Sequence, residues 1–256
     1  MNRLIQNLQE DVAVVTGSAT GIGRAVAKNF AQHGATVACV DIDGAGLNDT
    51  VDSIVEDGGK AFALAIDVGD SAKVRDAMAE VYQHAGKITI LVNCAAIASF
   101  NHIENCTDEE WDQIMRVNIG GFFYCLREVH PYMVKSGGGR IVQFASSTAL
   151  SGTAYTGPAY TASKSAVFGL TKYIAGYWAK DNIRANTICP GLTDTSIAEV
   201  DGEVKDKDGH ESKIPLGRIA NVNDMAGVVY FLVSEDSRYM TGTTLHVNGG
   251  KYMYGI

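Results

Sequence analysis

The sequence predicts an α/β fold: one domain built on a doubly wound parallel β-sheet of about seven strands, with helices on both faces. Three observations carry this. Short runs of almost uninterrupted apolar residues recur along the chain, as strands covered on both faces require. Between them lie longer segments with apolar residues at helical spacing, and strand–helix alternation implies parallel strands joined by right-handed crossovers. Polar residues stand directly after several apolar runs, at Asp41, Asp67, Asn93 and Ser147, and in such sheets ligands bind beyond the strands' carboxyl ends. With 256 residues, 46% of them hydrophobic, the chain is long enough to bury a large core in one domain over 1–256.

Residues 12–16 form the first apolar run, and the turn Gly17-Ser-Ala-Thr-Gly-Ile-Gly23 follows. Residues 24–33 have helical spacing and end at Gly34; residues 36–40 are the next strand, closed by Asp41. Strand, glycine turn, helix, strand and acid in this order are the plan of a dinucleotide-binding, Rossmann-like unit. Gly17, Gly21 and Gly23 let backbone approach a pyrophosphate, and the helix start at Thr20 to Gly23 offers free N–H donors and a positive dipole end. Asp41 is placed to accept hydrogen bonds from adenosine ribose hydroxyls. A 2′-phosphate would meet its negative charge, and neither Thr20 nor Ile42 supplies a compensating cation. The expected cofactor is NAD rather than NADP.

Alternation continues. Residues 45–56 read as a helix closed by Gly58-Gly59, 60–66 as a strand ending at Asp67-Val68, and 71–84 as a helix. Residues 88–92 form a strand ending in Asn93-Cys-Ala-Ala96. Thr107-Asp-Glu-Glu110 has the form of a capping box, opening a helix to about Asn118, and 120–135 is a further helix. The strand at 140–145 leads into Ser147. A long helical pattern from Pro158 to about residue 180 puts Pro158 in a first turn, where proline is tolerated. Residues 183–189 are a strand broken by Pro190-Gly191. The acid-rich stretch 193–213, with four aspartates, has almost no apolar period and reads as an irregular or part-helical flap. Residues 221–234 form a helix and 243–247 the last strand. The tail 252–256 is apolar enough to pack.

On the helix from Pro158, Tyr160 and Lys164 are i and i+4 and share a face. A free phenol has a pKa of about 10, and a neighbouring cation lowers it. The pair therefore suits proton transfer, with Ser147 able to bring a hydroxyl to the same spot. A helix that merely carries an exposed Tyr and Lys is the alternative, and the surrounding motifs have to decide.

The formal charge of −8 leaves no basic stripe for phosphates, so nucleic acid and anionic membranes are not expected partners. The cysteines are five, Cys39, Cys94, Cys106, Cys125 and Cys189, with no C-x-x-C pair; neither a disulfide framework nor a metal site is expected. Cys39, Cys94 and Cys189 read as small core residues. Residues 1–10 carry no signal-like apolar segment, and no apolar run is long enough to span a membrane. A cytoplasmic protein is the expectation.

Taken together, Thr16-Gly-x-x-x-Gly-Ile-Gly23, Asp67-Val68, Asn93-x-Ala95, Asn118, Ser147, Tyr160-x-x-x-Lys164 and Pro190-Gly191 make the whole chain resemble the one-domain type of the short-chain dehydrogenase/reductase family. The resemblance implies a secondary alcohol or ketone as substrate, with Tyr160 as general acid/base and Ser147 orienting the substrate oxygen. It implies that Lys164 lowers the Tyr160 pKa and binds the nicotinamide ribose, and that Asn118 holds a water in a relay behind Lys164. Asp67 and Val68 would frame the adenine, Asn93 and Ala95 would line the cofactor cleft, and Thr193 and Thr195 would contact nicotinamide amide or phosphate. Two departures stand out. Asn93-Cys-Ala-Ala96 replaces the family's Asn-Asn-Ala-Gly, adding a methyl at Ala96, and Thr89 stands where Asp is common. The substrate pocket is expected from Ala98 to Phe100, Thr148 to Leu150, Thr153 to Tyr155, Leu192 and the flap. Acids facing that pocket would disfavour anionic substrates, although such acids more commonly face solvent. The resemblance also implies a homotetramer, or a dimer, paired through helices carrying Phe122, Phe123, Phe168, Tyr173 and Trp178. The rival readings are an NAD(P)H-dependent ketone or 3-oxoacyl reductase and a non-catalytic nucleotide-binding protein.

Overall fold

β1 (Val12–Thr16) reads Val-Ala-Val-Val-Thr, and every residue of the strand is buried. Ala13 and Val15 enter one core while Val12 and Val14 enter another, as the two-residue period of a strand demands. A computed structural model of the chain describes residues 7–152, 155–195, 199–200, 203–204, 209 and 211–253. Within it, β2 (Thr36–Asp41), β3 (Lys60–Ala65), β4 (Ile90–Asn93), β5 (Gly139–Phe144), β6 (Ile183–Pro190) and a final strand over Thr244–Val247 join β1 in one sheet. The order is β3-β2-β1-β4-β5-β6 and then the final strand, with every pairing parallel. Seven parallel strands are therefore present, as the apolar runs predict.

Two helical layers cover the sheet. On one face lie α1 (Gly21–Gln32), α2 (Gly44–Glu56) and the helix over Val222–Val233, with Val26, Phe30, Leu47, Met225 and Val229 in the core. On the other lie α3 (Ser71–Ala85), α5 (Gly121–Lys135) and α7 (Pro158–Tyr177), contributing Met78, Leu126, Met133 and Ile174. Each such side chain, fully buried, contributes roughly 1.5–3 kcal/mol. α4 (Asp108–Met115) and the short α6 (Thr148–Ser151) complete the set before α7, and Val222–Val233 is hereafter α8.

The helix starts fall into two groups. Asp43, Asp70, Thr107 and Asn221 cap α2, α3, α4 and α8 with their side chains. The N-terminus of α1 has no side-chain cap, and its free N–H groups lie at the carboxyl end of β1.

Three stretches differ from the sequence reading. Helices 107–118 and 120–135 are joined by a π-helical turn, Arg116–Gly120, so Asn118 sits in a widened turn and not at a helix end. The flap contains a two-residue antiparallel ladder, β7 (Glu199–Val200) against β8 (Glu203–Val204), and Thr193 pairs with Ala220; with these strands numbered, Thr244–Val247 is β9. The remainder of the flap at 196–198, 201–202, 205–208 and 210 lies outside the described residues, as do Thr153 and 254–256. Finally, Thr89 is a latch at the amino end of the sheet. Its hydroxyl accepts from the Val12 N–H at 3.1 Å and donates to Asp11 at 2.8 Å, pinning the starts of β1 and β4 together.

Candidate active site

A cleft of about 570 Å³ runs along the carboxyl ends of the strands. At one end β2 finishes in Asp41. Its two carboxylate oxygens accept from the backbone N–H groups of Ala19 at 3.0 Å and Asp43 at 3.1 Å, so the charge is held in a fixed place in the cleft wall. Arg24, the first basic residue of α1, is turned into α2, where it donates to Thr50 at 2.9 Å and to the Gly46 carbonyl at 3.1 Å. It does not line the cleft, and Ile42 is exposed and uncharged.

Beside Asp41 the glycine turn forms the floor. Gly17 has φ +72°, and a Cβ there would lie 2.7 Å from the Ala95 nitrogen. A Cβ on Gly23 would lie 2.0 Å from the Gly17 carbonyl. The turn therefore closes on itself only without side chains. Thr16 ties it to β4, accepting from Cys94 at 3.1 Å and Ala95 at 3.2 Å. Thr195 crosses from the other wall, its methyl 3.4 Å from where a Gly21 Cβ would stand. Uncapped α1 N–H groups above a glycine floor, with a fixed acid at the end of the neighbouring strand β2, suit a dinucleotide diphosphate.

In the middle of the cleft stand Ser147, Tyr160 and Lys164, all three in its wall and all buried. Pro158 opens α7 as the sequence predicts, and Tyr160 and Lys164 follow one turn apart. The Lys164 ammonium donates to the Phe144 carbonyl at 2.8 Å and stands 5.8 Å from the centre of the Tyr160 ring. Burial pushes the Tyr160 phenol up to about 12, a hydrogen bond from Ser146 acting in the opposite sense. Burial also pulls Lys164 down to about 8. Both groups lose water, and burial disfavours the charged form of each; at about 8 the Lys164 ammonium still keeps its proton at neutral pH.

The other expected residues divide. Gly17, Thr20, Gly21, Ile22, Gly23, Asp41, Thr193 and Thr195 line the cleft, as does Ala96 with its added methyl. Asp67, Val68, Asn93, Ala95 and Asn118 are not among its lining residues. Asp67 is bound by the Gly69 N–H at 2.8 Å and paired with Arg116 at 2.8 Å. Burial would raise its carboxyl, but these partners outweigh it and hold the group below its ordinary value. Val68 is buried against Gly121. Asn93 is fully buried, with its amide nitrogen near the Phe122 carbonyl and Gln143. Asn118 exchanges two 2.9 Å hydrogen bonds with the Ile97 backbone and donates to Ser163 at 3.1 Å. Ser163 in turn donates to the Tyr160 carbonyl at 2.8 Å. Asn118 therefore braces the 94–98 loop against α7, with protein at both ends of its amide.

Several cleft residues escape the sequence reading, among them Ser146, Cys94 and Lys251. Ser146 hydrogen-bonds the Tyr160 phenol. Cys94 is in the cleft wall and not simply in the core; burial pushes its thiol up to about 12, so it stays protonated. Its place in Asn93-Cys-Ala-Ala96, where the family resemblance expects Asn, was the available signal. Lys251 lines the cleft, as does Lys213 at the end of the flap that the sequence assigns to the pocket. Of the expected pocket residues, Ala98, Phe100, Thr148, Tyr155 and Leu192 do so, whereas Leu150 is exposed.

Comparison with known proteins is consistent throughout. The profile described as enoyl-(acyl carrier protein) reductase matches residues 17–251. The 3-oxoacyl-[acyl-carrier-protein] reductase of Thermotoga maritima is 36% identical over 250 residues, covering 95% of this chain and 98% of that one. A short-chain type dehydrogenase/reductase from Mycobacterium marinum superposes with a TM-score of 0.91 at 32% identity, over 96% of both chains. The 3-ketoacyl-(acyl-carrier-protein) reductase of Brucella melitensis, solved in complex with NADH, superposes with a TM-score of 0.88 at 31% identity, over 96% of this chain and 99% of that one.

Proposed function

The chain belongs to the short-chain dehydrogenase/reductase family, and we propose that it is an NAD-dependent dehydrogenase interconverting a secondary alcohol and its ketone. It is an oxidoreductase acting between carbinol and ketone groups; NAD as the cofactor and oxidation as the working direction are the finer reading. The observation that carries it is the buried Tyr160 phenol in the cleft wall with Ser147 and Lys164. A nicotinamide cofactor, when bound, supplies the hydride acceptor and donor. Gly17, Thr20, Gly21, Ile22 and Gly23 would hold its diphosphate, Asp41 its adenosine ribose, and Thr193 and Thr195 its nicotinamide end. Asp67 and Val68, one strand beyond Asp41, would frame the adenine from behind, and Asn93 and Ala95 would support the floor.

In oxidation Tyr160 takes the carbinol proton as the base, and in reduction it returns it. Ser147 orients the substrate oxygen. Lys164 holds a positive charge near the phenol and would reach the nicotinamide ribose, and Asn118 positions the turn of α7 that carries Tyr160. A phenol at about 12 is a poor base at neutral pH, so cationic charge in the assembled site must bring it down. Tyr160→Phe is expected to lower kcat by roughly 10²–10⁴-fold while NADH binding, read by fluorescence, is kept; turnover retained in that variant would overturn the assignment.

The single domain 1–256 is proposed to work in the cytoplasm as a homotetramer, or a dimer. The free thiols of all five cysteines support a reducing compartment. Exposed Phe123 on α5 and Tyr173 on α7 support pairing through those helices. The likeness to the Thermotoga maritima reductase favours a second reading, reduction of a 3-oxoacyl substrate. NADPH turnover exceeding NADH turnover would decide for it.

A further inference from the structure

At the end of the cleft remote from Asp41, two ammonium groups face the same space. Lys213 and Lys251 both line it. Asp41 closes β2, whereas Lys251 follows β9, and β1, β4, β5 and β6 lie between. At about 4.8 Å per strand, the five spacings separate the two ends by roughly 24 Å. The lysines therefore lie past Ser147, on the far side from the adenosine end, and a ribose 2′-phosphate is not what they would meet.

Their positions are built by packing. The Leu216 N–H donates to the Gly249 carbonyl at 3.1 Å. A Cβ on Gly249 would lie 2.6 Å from Ile214, and one on Gly250 3.1 Å from Pro215. The turn carrying Lys251 is thus seated on the segment that follows Lys213. Lys251 is half-buried and its ammonium lies 5.6 Å from the centre of the Tyr252 ring. Burial and the charge of Lys213 together lower its pKa, so the two cations are close enough to repel. Among the described residues neither is paired with a carboxylate, and no described acid of 193–213 lines the cleft. Two cations held together with no counter-ion among the described residues, at the mouth of an apolar cleft, invite an anion.

We propose that Lys213 and Lys251 form an anion-binding end of the substrate site, and that the substrate is a secondary alcohol or ketone bearing a carboxylate or phosphate group. This rests on the dehydrogenase reading above. Phe100 and Tyr155, edge to face at 6.0 Å in the cleft wall, would flank the apolar body between the reacting carbon and the anion.

The test compares matched pairs with NAD: 3-hydroxybutyrate, 4-hydroxypentanoate and 5-hydroxyhexanoate against their methyl esters, and glycerol 3-phosphate against glycerol. At least one anion is expected to exceed its neutral partner by about tenfold in kcat/KM, through KM. That preference should shrink in about 0.5 M KCl. The double variant K213Q/K251Q should bring the ratio to within about twofold of unity. The arm that responds identifies carboxylate or phosphate. Neutral partners used as well as the anions, or a ratio that survives the double substitution, would refute the anion site while leaving the dehydrogenase reading intact. If no pair is turned over, calorimetric titration of the corresponding oxo acids and oxo esters into NADH-loaded protein reads the same preference, and equal binding refutes it. Tyr160→Phe, which tests the chemistry, should leave that binding preference in place.

Discussion

In the proposed reading, the choice between NAD and NADP falls to one carboxylate, Asp41. It is pinned by the Ala19 and Asp43 N–H groups, and among the described residues no basic side chain shares that end of the cleft wall. Juxtaposed like charges cost several kcal/mol. Asp41→Ser is therefore expected to raise kcat/KM for NADP on the order of tenfold or more and to lower it for NAD, measured as the ratio of the two. Lys164 makes a different kind of prediction. Its folded pKa is lowered from 10.5 to about 8, so between those values the unfolded chain binds more protons. Stability from this group then rises with pH across that window, and the full penalty for the buried charge is present below it. Lys164→Met removes the penalty. Its stability relative to the parent chain should be greatest at or below about pH 8 and decline toward about pH 10.5, read by urea unfolding at stepped pH. A difference independent of pH would show that Lys164 is not buried as a charge. At this scale the sequence was informative about identity and less so about environment. Tyr160 and Lys164 are legible from their spacing, but their opposite displacements follow from burial among residues distant in the chain.

Among the elements, the glycine turn has the least room for change. A Cβ on Gly23 would meet the Gly17 carbonyl at 2.0 Å, a backbone atom that cannot rotate away. Gly23→Ala should cost roughly 1–3 kcal/mol or more and weaken NADH binding together with stability, measured by denaturation midpoint and fluorescence titration. Loss of binding with an unchanged midpoint would mean that the turn relaxes more easily than its packing suggests. The π-turn at Arg116–Gly120 shows where sequence patterns stop. Residues 107–135 have helical spacing throughout, and a single widened turn leaves that spacing almost intact. It nevertheless aims Asn118 at Ile97 and Ser163. Capping was more legible, because Thr107 and its N–H partner at Glu110 are three residues apart.

Of the helices that expose aromatic side chains, α5 and α7 carry those proposed for assembly. Phe122 and Trp178 are in the core and Phe168 is half-buried, whereas Phe123 is 46% and Tyr173 65% exposed. The aromatics expected on one shared interface thus sort into core and surface. Phe123→Glu with Tyr173→Glu should convert the proposed tetramer to smaller species in sedimentation velocity, since isolated charges are poorly tolerated at an interface core. An unchanged sedimentation coefficient, or a monomeric parent chain, would remove this role from the two helices.

By itself the sequence determined what neighbours in the chain can encode: apolar runs of strand length, helical periods, the glycine turn, and a Tyr and Lys one turn apart. These follow from local sterics and side-chain period, so the parallel sheet, its ligand side and the main cleft residues could be anticipated. Only the tertiary structure decided which groups lose water and which meet across the chain. It brought Lys213 to Lys251, set Cys94 and Ser146 beside the central pair, and drew Asn118 away from solvent. Those relations depend on packing between segments far apart in sequence, and no local pattern records them.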